Sequence, residues 1–368
     1  MTRIQKLLRG FDLATASLIE IGALDRPIVP PDTPKVFYVD HASTPDLRKK
    51  YATDPHVNID RLVDVHGVWG ERTLAEIAAP VAPVDGIVAS HVIEHVPDLI
   101  GWFFELASVL KPGGEVRLCI PDKRYTFDLP RAETQIADVL SAHLTGARVP
   151  QARAILDHFL NVAHVDCVDA WEERITGETA PRQVDSKAAI EAAIEAAIEA
   201  AIEAAEDMLA NGTYRDSHCW VFTPHSFAVL MGRLAETGHQ PFRCESFSPT
   251  ERHTFEFFVT LEACDDKQRI VESWKTLHAQ VLAKSGELRS VVREELAEAL
   301  RQVDALHAEA ELLREHTADH RVQAAASLKV TASLQQQVEN LTAVIEDLRG
   351  STSWKVTAPL RAVRRLLK

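Results

Sequence analysis

Between residues 17 and 120 the sequence alternates short apolar, β-branched runs with stretches of helical periodicity. No other feature limits the fold as strongly. Ser17–Gly22 (SLIEIG) ends in glycine and Lys35–Asp40 (KVFYVD) ends in an acid. Ile59–Val65 (IDRLVDV), Asp85–Ser90 (DGIVAS) and Glu115–Ile120 (EVRLCI) complete five expected strands. Between the last two, Leu99–Leu110 carries the apolar period of an amphipathic helix. Strands divided by helices need crossover connections, so the expected architecture is an α/β, doubly wound, mostly parallel sheet.

From about Tyr125 to Arg215 the sequence reads as a helical insertion without a strand. It contains the unit AAIE, recurring from Ala188 to about Ala204. Alanine and glutamate favour helix, but a four-residue unit outruns the helical turn, so its isoleucine stripe drifts roughly 40° per repeat. A surface insertion is expected. Thr223-Pro224-His225 then opens a helix that runs to about Thr237 and stops at Gly238. Phe242–Phe247 and His253–Leu261, joined by Ser248-Pro249-Thr250-Glu251, read as an antiparallel hairpin that closes a seven-stranded sheet. Beyond Asp265, heptad-like spacing appears at Leu296, Leu300, Val303, Leu306, Ala310 and Leu313. A cleaner seam follows at Leu334, Val338, Leu341, Ile345 and Leu348, as in a coiled coil. The expected divisions are therefore residues 1–264, a helical and coiled-coil region over 265–350, and a tail over 351–368.

Charge and cysteine usage narrow the partners. A net charge of −14 argues against nucleic acid as the main partner. The five cysteines are scattered and form no CxxC pair, which points to free thiols in a reducing, cytoplasmic setting rather than a disulfide frame or zinc ribbon. No run of about 18 apolar residues offers a membrane span.

Several motifs sit where the expected strands end. Ile19-Glu20-Ile21-Gly22-Ala23 closes the first, and glycine there lets backbone approach a ligand closely. Asp40 closes the second, twenty residues after Glu20, where a carboxylate can accept both hydroxyls of a ribose. Asp64 lies near the end of the third. Ser90-His91-Val92-Ile93-Glu94-His95 follows the fourth, and Leu110-Lys111-Pro112-Gly113-Gly114 precedes the fifth, which ends in Ile120-Pro121-Asp122.

In this order the motifs resemble those of the class I S-adenosylmethionine-dependent methyltransferases, over roughly Leu13 to Ala263. The resemblance implies S-adenosylmethionine as cofactor. Its methionine part would be cradled at Glu20, Gly22 and Ala23, its ribose held by Asp40, its adenine contacted by Asp64 and the Val65 backbone, and its sulfonium placed beside Ser90. Only Gly22 remains of the usual glycine cluster, so the first motif is degenerate. A nicotinamide-dependent enzyme on the same fold would need G-x-G-x-x-G after the first strand, and Ala23-Leu24-Asp25 breaks that pattern.

Methyl transfer to a hydroxyl needs alignment with the departing sulfur and a base. His91, His95 and Asp122 are the catalytic candidates, as they follow strand ends. His91-x-x-Glu94-His95 also resembles, as a bare string, an inverted zinc-protease motif. Its place at a strand-to-helix junction argues against that. Some RNA 2′-O-methyltransferases carry two acids and a histidine at this point and bind a divalent metal. Here His91 replaces the first acid, and a further ligand such as His218 or His225 would be needed, so no metal is assigned.

The tail, Ser351–Lys368, has five cations and no acid. It resembles the C-terminal ends of bacterial enzymes of surface-polysaccharide assembly, among them glycosyltransferases. Trp354, Val356, Leu360, Val363, Leu366 and Leu367 can form an apolar face beside the cations, the pattern of an interfacial helix on anionic lipid. Together these features suggest O-methylation of a sugar or glycan acceptor, self-association through the coil, and peripheral contact with the inner face of the membrane. The alternative is a non-catalytic scaffold in which a degenerate cofactor fold carries the coiled coil.

Overall fold

All four residues of β1 (Leu18–Ile21) are buried, as a strand covered on both faces requires. The computed structural model describes residues 1–70, 72–181, 187–280 and 320–350. Helix α1 (Arg3–Leu8) precedes β1. Then follow β2 (Val36–Asp40), α2 (Thr44–Lys50), β3 (Gly67–Val68), α3 (Leu74–Ile77), β4 (Val84–Ser90), α4 (Leu99–Ser108) and β5 (Leu110–Pro121). The sheet order is β3-β2-β1-β4-β5-β7-β6. The first five strands pair in parallel. The hairpin β6 (Phe242–Ser248) and β7 (Glu256–Ala263) adds antiparallel to β5. This is the doubly wound, mostly parallel sheet that the strand spacing implied.

Side-chain caps fix where the crossover helices begin. Ser43 starts α2, and Asp98 starts α4 by accepting from the Gly101 amide at 2.9 Å. The third strand departs from expectation. Ile59–Arg61 is one short 3-10 turn, Leu62–Val65 has no regular secondary structure, and the strand is only Gly67–Val68. Leu62 and Val63 are buried without joining the ladder, so their apolar character misled the strand assignment.

The insertion consists of α5 (Ile136–Leu144), α6 (Ala152–Asn161), α7 (Cys167–Trp171) and α8 (Lys187–Asn211), which carries the AAIE repeat. Ala201, Ala204, Ala205 and Met208 of α8 are buried, the last three clustered with Ile155 of α6. Ile198 and Ile202 remain 40% and 45% exposed. Over residues 198–211 the small alanine face, not Ile198 or Ile202, makes the contact.

Helix α9 (Pro224–Thr237) has a Thr223 capping box and ends at Gly238, whose φ of +77° is the left-handed conformation of a helix C-cap. Helix α10 starts at residue 267 and reaches at least residue 280. It packs against the sheet, where Trp274 is fully buried and its Nε1 donates to the Phe242 carbonyl at 2.9 Å. Ser273 Oγ accepts from the Cys244 amide at 3.0 Å and so covers part of the β6 edge. The first compact unit accordingly runs from Met1 to His278 and the second from Ala279 to Lys368.

In the second unit, α11 (His320–Gly350) carries the Leu334–Leu348 seam, with Leu334, Leu341 and Ile345 half-buried and Val338 exposed. The earlier heptads, Leu296–Leu313, and the tail Ser351–Lys368 lie outside the described residues. Among the described residues no helix is long and apolar enough to cross a membrane.

Candidate active site

The strand order changes direction between β1 and β4, and open α/β sheets take ligands in the crevice outside the strand ends at such a point. Gly22 leaves β1 with φ +70°, and a Cβ there would stand 2.8 Å from Val92 Cγ2. Only glycine lets these two strand-end loops pass so closely. Asp40, 7% exposed at the end of β2, accepts from the His41 amide at 2.7 Å. Tyr214 stacks on the His41 ring at 5.5 Å, and Lys50 bridges to Asp216 at 3.2 Å. The segment that follows α8 thus returns to the β2 end.

Glu20 is placed differently from its expected role. Its two oxygens accept the Ile28 and Val29 amides, each at 2.7 Å, and the side chain is 2% exposed. Burial pushes its carboxyl up to about 7, against the pull of those two hydrogen bonds. It clamps the loop after β1, and at 2% exposure it offers almost no surface to a cofactor ammonium. Ala23 is buried with Tyr38 and Val63. Asp64 is exposed and precedes β3 instead of closing it, while the Val65 amide donates to Thr44 Oγ1 at 2.8 Å. Neither joins Asp40 as a matching strand end. Ser90 ends β4 opposite Cys119.

After β4 the chain turns at His91, whose φ of +55° is left-handed. His91 Nε2 lies 3.1 Å from Glu256 Oε2 of β7, and its Nδ1 is 3.6 Å from Glu94 Oε1. Burial alone would raise the Glu256 carboxyl, but His91 and Arg3 hold it down at about 2. Glu94 is 1% exposed, and neither of its oxygens has a hydrogen-bond partner. His95 Nδ1 faces Asp216 Oδ1 at 3.1 Å. Burial disfavours a charged His95, yet Asp216, Glu94 and Asp128 together raise its pKa.

His218 joins this group from the far side of the insertion. The Cys219 and Trp220 amides both donate to the Glu94 carbonyl, at 2.6 and 3.1 Å, and Trp220 Nε1 donates to the Val96 carbonyl at 2.6 Å. This pinning sets the His218 ring 4.7 Å from the His95 ring, edge to face. His218 Nδ1 meets Asp128 Oδ2 at 2.5 Å, and Asp128 is held in turn by Arg131 at 2.8 Å. His225, the other expected partner, pairs instead with His278 at 5.5 Å.

Asp122 does not reach the site. It is fully buried, with Arg124 on both oxygens and Thr250 Oγ1 at 2.6 Å on one of them. A carboxylate so saturated cannot serve as a base, and its work is to fix the turn after β5. Sequence reasoning missed Asp128, Arg131, Asp216 and Glu256. The run of alternating charged and aromatic residues Asp122–Asp128 after β5 was the available sign of the first two; Asp216 and Glu256 left none.

The family model described as "Methyltransferase domain" matches residues 30–234, more than half of the chain. The chain belongs to this methyltransferase family. The match starts beyond the Glu20–Gly22 loop and includes Asp40, Glu94, His95 and His218.

Several solved structures are similar to this methyltransferase. A protein described as a Zn-dependent alcohol dehydrogenase from Rhodobacter sphaeroides is 14% identical, covering 71% of this chain and 88% of that one, with a TM-score of 0.38. An S-adenosylmethionine-dependent methyltransferase from Listeria monocytogenes is 10% identical over 71% of this chain and 96% of that one, with a TM-score of 0.33. One from Aquifex aeolicus is 11% identical over 71% and 89%, with a TM-score of 0.31. The methyltransferase spans 49% and 51% of the CcbJ and CurJ methyltransferases that it also matches. No curated protein matches it.

The cofactor implied is S-adenosylmethionine, and the residues present fit it at two points. Gly22 offers close backbone approach, and Asp40 offers a buried carboxylate at the β2 end. Glu20 does not fit as a direct contact, because its own loop occupies it. A surface cavity of about 530 Å³, lined by Asp25, Arg26, His56, Asn58 and Arg61 among others, shares no residue with the Glu94 cluster.

Proposed function

We propose that this methyltransferase transfers the methyl group of S-adenosylmethionine to a hydroxyl of a sugar or glycan acceptor used in surface-polysaccharide assembly. The observation that carries the reading is the convergence of Gly22, Asp40 and the acid–histidine group His91, Glu94 and His95 at the strand ends around the β1/β4 switch. The resemblance of the basic tail to polysaccharide-assembly enzymes supports the acceptor class.

When bound, S-adenosylmethionine supplies an electrophilic methyl on a departing sulfur. The chain's own residues would hold and orient it: Asp40 would accept the ribose hydroxyls, the Gly22 backbone would support the methionine part, and Ser90 would stand at the reacting end. His91 is the base. Glu256 remains a carboxylate at neutral pH and accepts its Nε2 proton, so Nδ1, 3.6 Å from Glu94 Oε1, is the nitrogen that would take the proton of the acceptor hydroxyl.

Calorimetry of the full chain with S-adenosylmethionine, followed by methyl release on a panel of nucleotide sugars and glycans, tests the reading. Asp40→Ala is expected to weaken cofactor binding by about 1–3 kcal/mol, the cost of unpaired hydroxyls; an unchanged affinity would remove Asp40 from the ribose site. His91→Ala is expected to slow turnover by about 10²–10⁴-fold with cofactor affinity unchanged, the usual contribution of a general base. Equal turnover would assign the proton elsewhere.

The clamp of Glu20 on its own loop favours a second reading, a scaffold that has given up the cofactor. No heat with millimolar S-adenosylmethionine would decide for the scaffold.

A further inference from the structure

Glu94, His95 and His218 bring three ligand atoms within 4.8 Å of one another. Donors bound at about 2.0–2.2 Å to one ion lie roughly 3–4 Å apart, so small side-chain rotations would close the set. Two polar atoms here, Glu94 Oε1 and Oε2, are buried without a hydrogen-bond partner, the His91 ring standing off at 3.6 Å from Oε1. Natural interiors rarely leave such atoms unpaired, and a buried carboxylate without a donor calls for a cation.

The surroundings of both rings point the same way. Metal-bound histidines usually give their other ring nitrogen to a carboxylate, which fixes ring orientation. His218 Nδ1 is held by Asp128 at 2.5 Å, and Asp128 by Arg131 at 2.8 Å, all three nine-tenths buried or more. That leaves Nε2 of His218 as its free donor. Asp216 stands 3.1 Å from His95. The backbone bonds from Cys219 and Trp220 to the Glu94 carbonyl lock the two chain segments that carry the donors.

We propose that Glu94, His95 and His218 bind one divalent transition-metal ion, of which Zn²⁺ is the best match to a two-nitrogen, one-carboxylate donor set with open positions. The site needs no cofactor to form and does not rest on the acceptor assigned above. Its position beside His91 would let the ion take an acceptor oxygen as a further ligand.

The test uses the full chain stripped with a chelator and titrated with Zn²⁺ and with Co²⁺ as the spectroscopic probe. The expected result is one ion per chain, with Co²⁺ bands of nitrogen and oxygen ligation. Glu94→Gln and His218→Ala should each weaken binding at least about 100-fold, Asp128→Asn by about 10–100-fold, and His225→Ala not at all. No uptake at micromolar ion overturns the site, and so does wild-type affinity in Glu94→Gln and His218→Ala. A strong thiolate charge-transfer band overturns it too, by assigning the ion to Cys119 or Cys219, and this readout needs no variant to fold. Calorimetry with S-adenosylmethionine on the metal-free chain separates the readings. Cofactor binding without ion uptake sinks the metal site alone, and ion uptake without cofactor binding sinks only the cofactor reading.

Discussion

Replacing Arg131 by methionine is expected to lower the unfolding free energy by about 3–5 kcal/mol, because it strips the partner from a buried carboxylate. Arg131 is 1% exposed as a side chain and makes three charge-assisted contacts: to Asp128 and Asp157 at 2.8 Å each, and to the His218 carbonyl at 2.9 Å. Methionine fills most of the volume but leaves Asp128 facing only His218. Lysine cannot fork between two acids and a carbonyl, so Arg131→Lys should recover little of the loss. Urea unfolding followed by near-UV circular dichroism measures both variants. A loss under about 1 kcal/mol would mean that the ion pair orients His218 without stabilising the domain.

Truncation at Ala263 should damage the methyltransferase unit severely, whereas truncation at His278 should leave it folded. The shorter chain lacks α10, so Phe242 and Phe227 lose the ring of Trp274, which packs 6.1 Å from Phe227 and is fully buried. It also uncovers the Cys244 amide on the β6 edge. Removing the indole alone, as Trp274→Ala in the full chain, should cost about 3–5 kcal/mol, the range for a large aromatic in a packed core. Thermal melting of the three proteins reads this out, and equal melting temperatures would place α10 outside the cooperative unit. Light scattering on the His278 truncation also reads whether α11 drives assembly. A monomer beside an oligomeric full chain is the expected result, and the same mass per particle relative to chain length would remove the seam as the cause.

The parallel order of β1, β2, β4 and β5, the closing hairpin and the limits of α9 were legible because each rests on local signals. These were β-branched runs, capping residues and the Gly238 stop. The third strand was not legible, since Leu62 and Val63 are buried by packing rather than by pairing, and local sequence cannot tell the two apart. The packing of α10 against β6 was not legible for a similar reason. The stretch from Lys267 to Thr276 is mostly polar, and the burial of Trp274 within it depends on where β6 ends up.

For the site, sequence alone determined the strand-end positions of Gly22, Asp40, His91, Glu94 and His95, because turns and caps place residues at the ends of strands wherever those strands go. Tertiary structure alone decided what each carboxylate does. Glu20 and Asp122 occupy expected positions yet spend their oxygens on Ile28 and Val29 and on Arg124 and Thr250, while neither oxygen of Glu94 receives a hydrogen bond. It also chose His218 over His225, more than 120 residues from His95, through backbone hydrogen bonds to Glu94. A carboxylate's chemistry is set by the donors that reach it, and those donors come from segments that only the folded chain brings together.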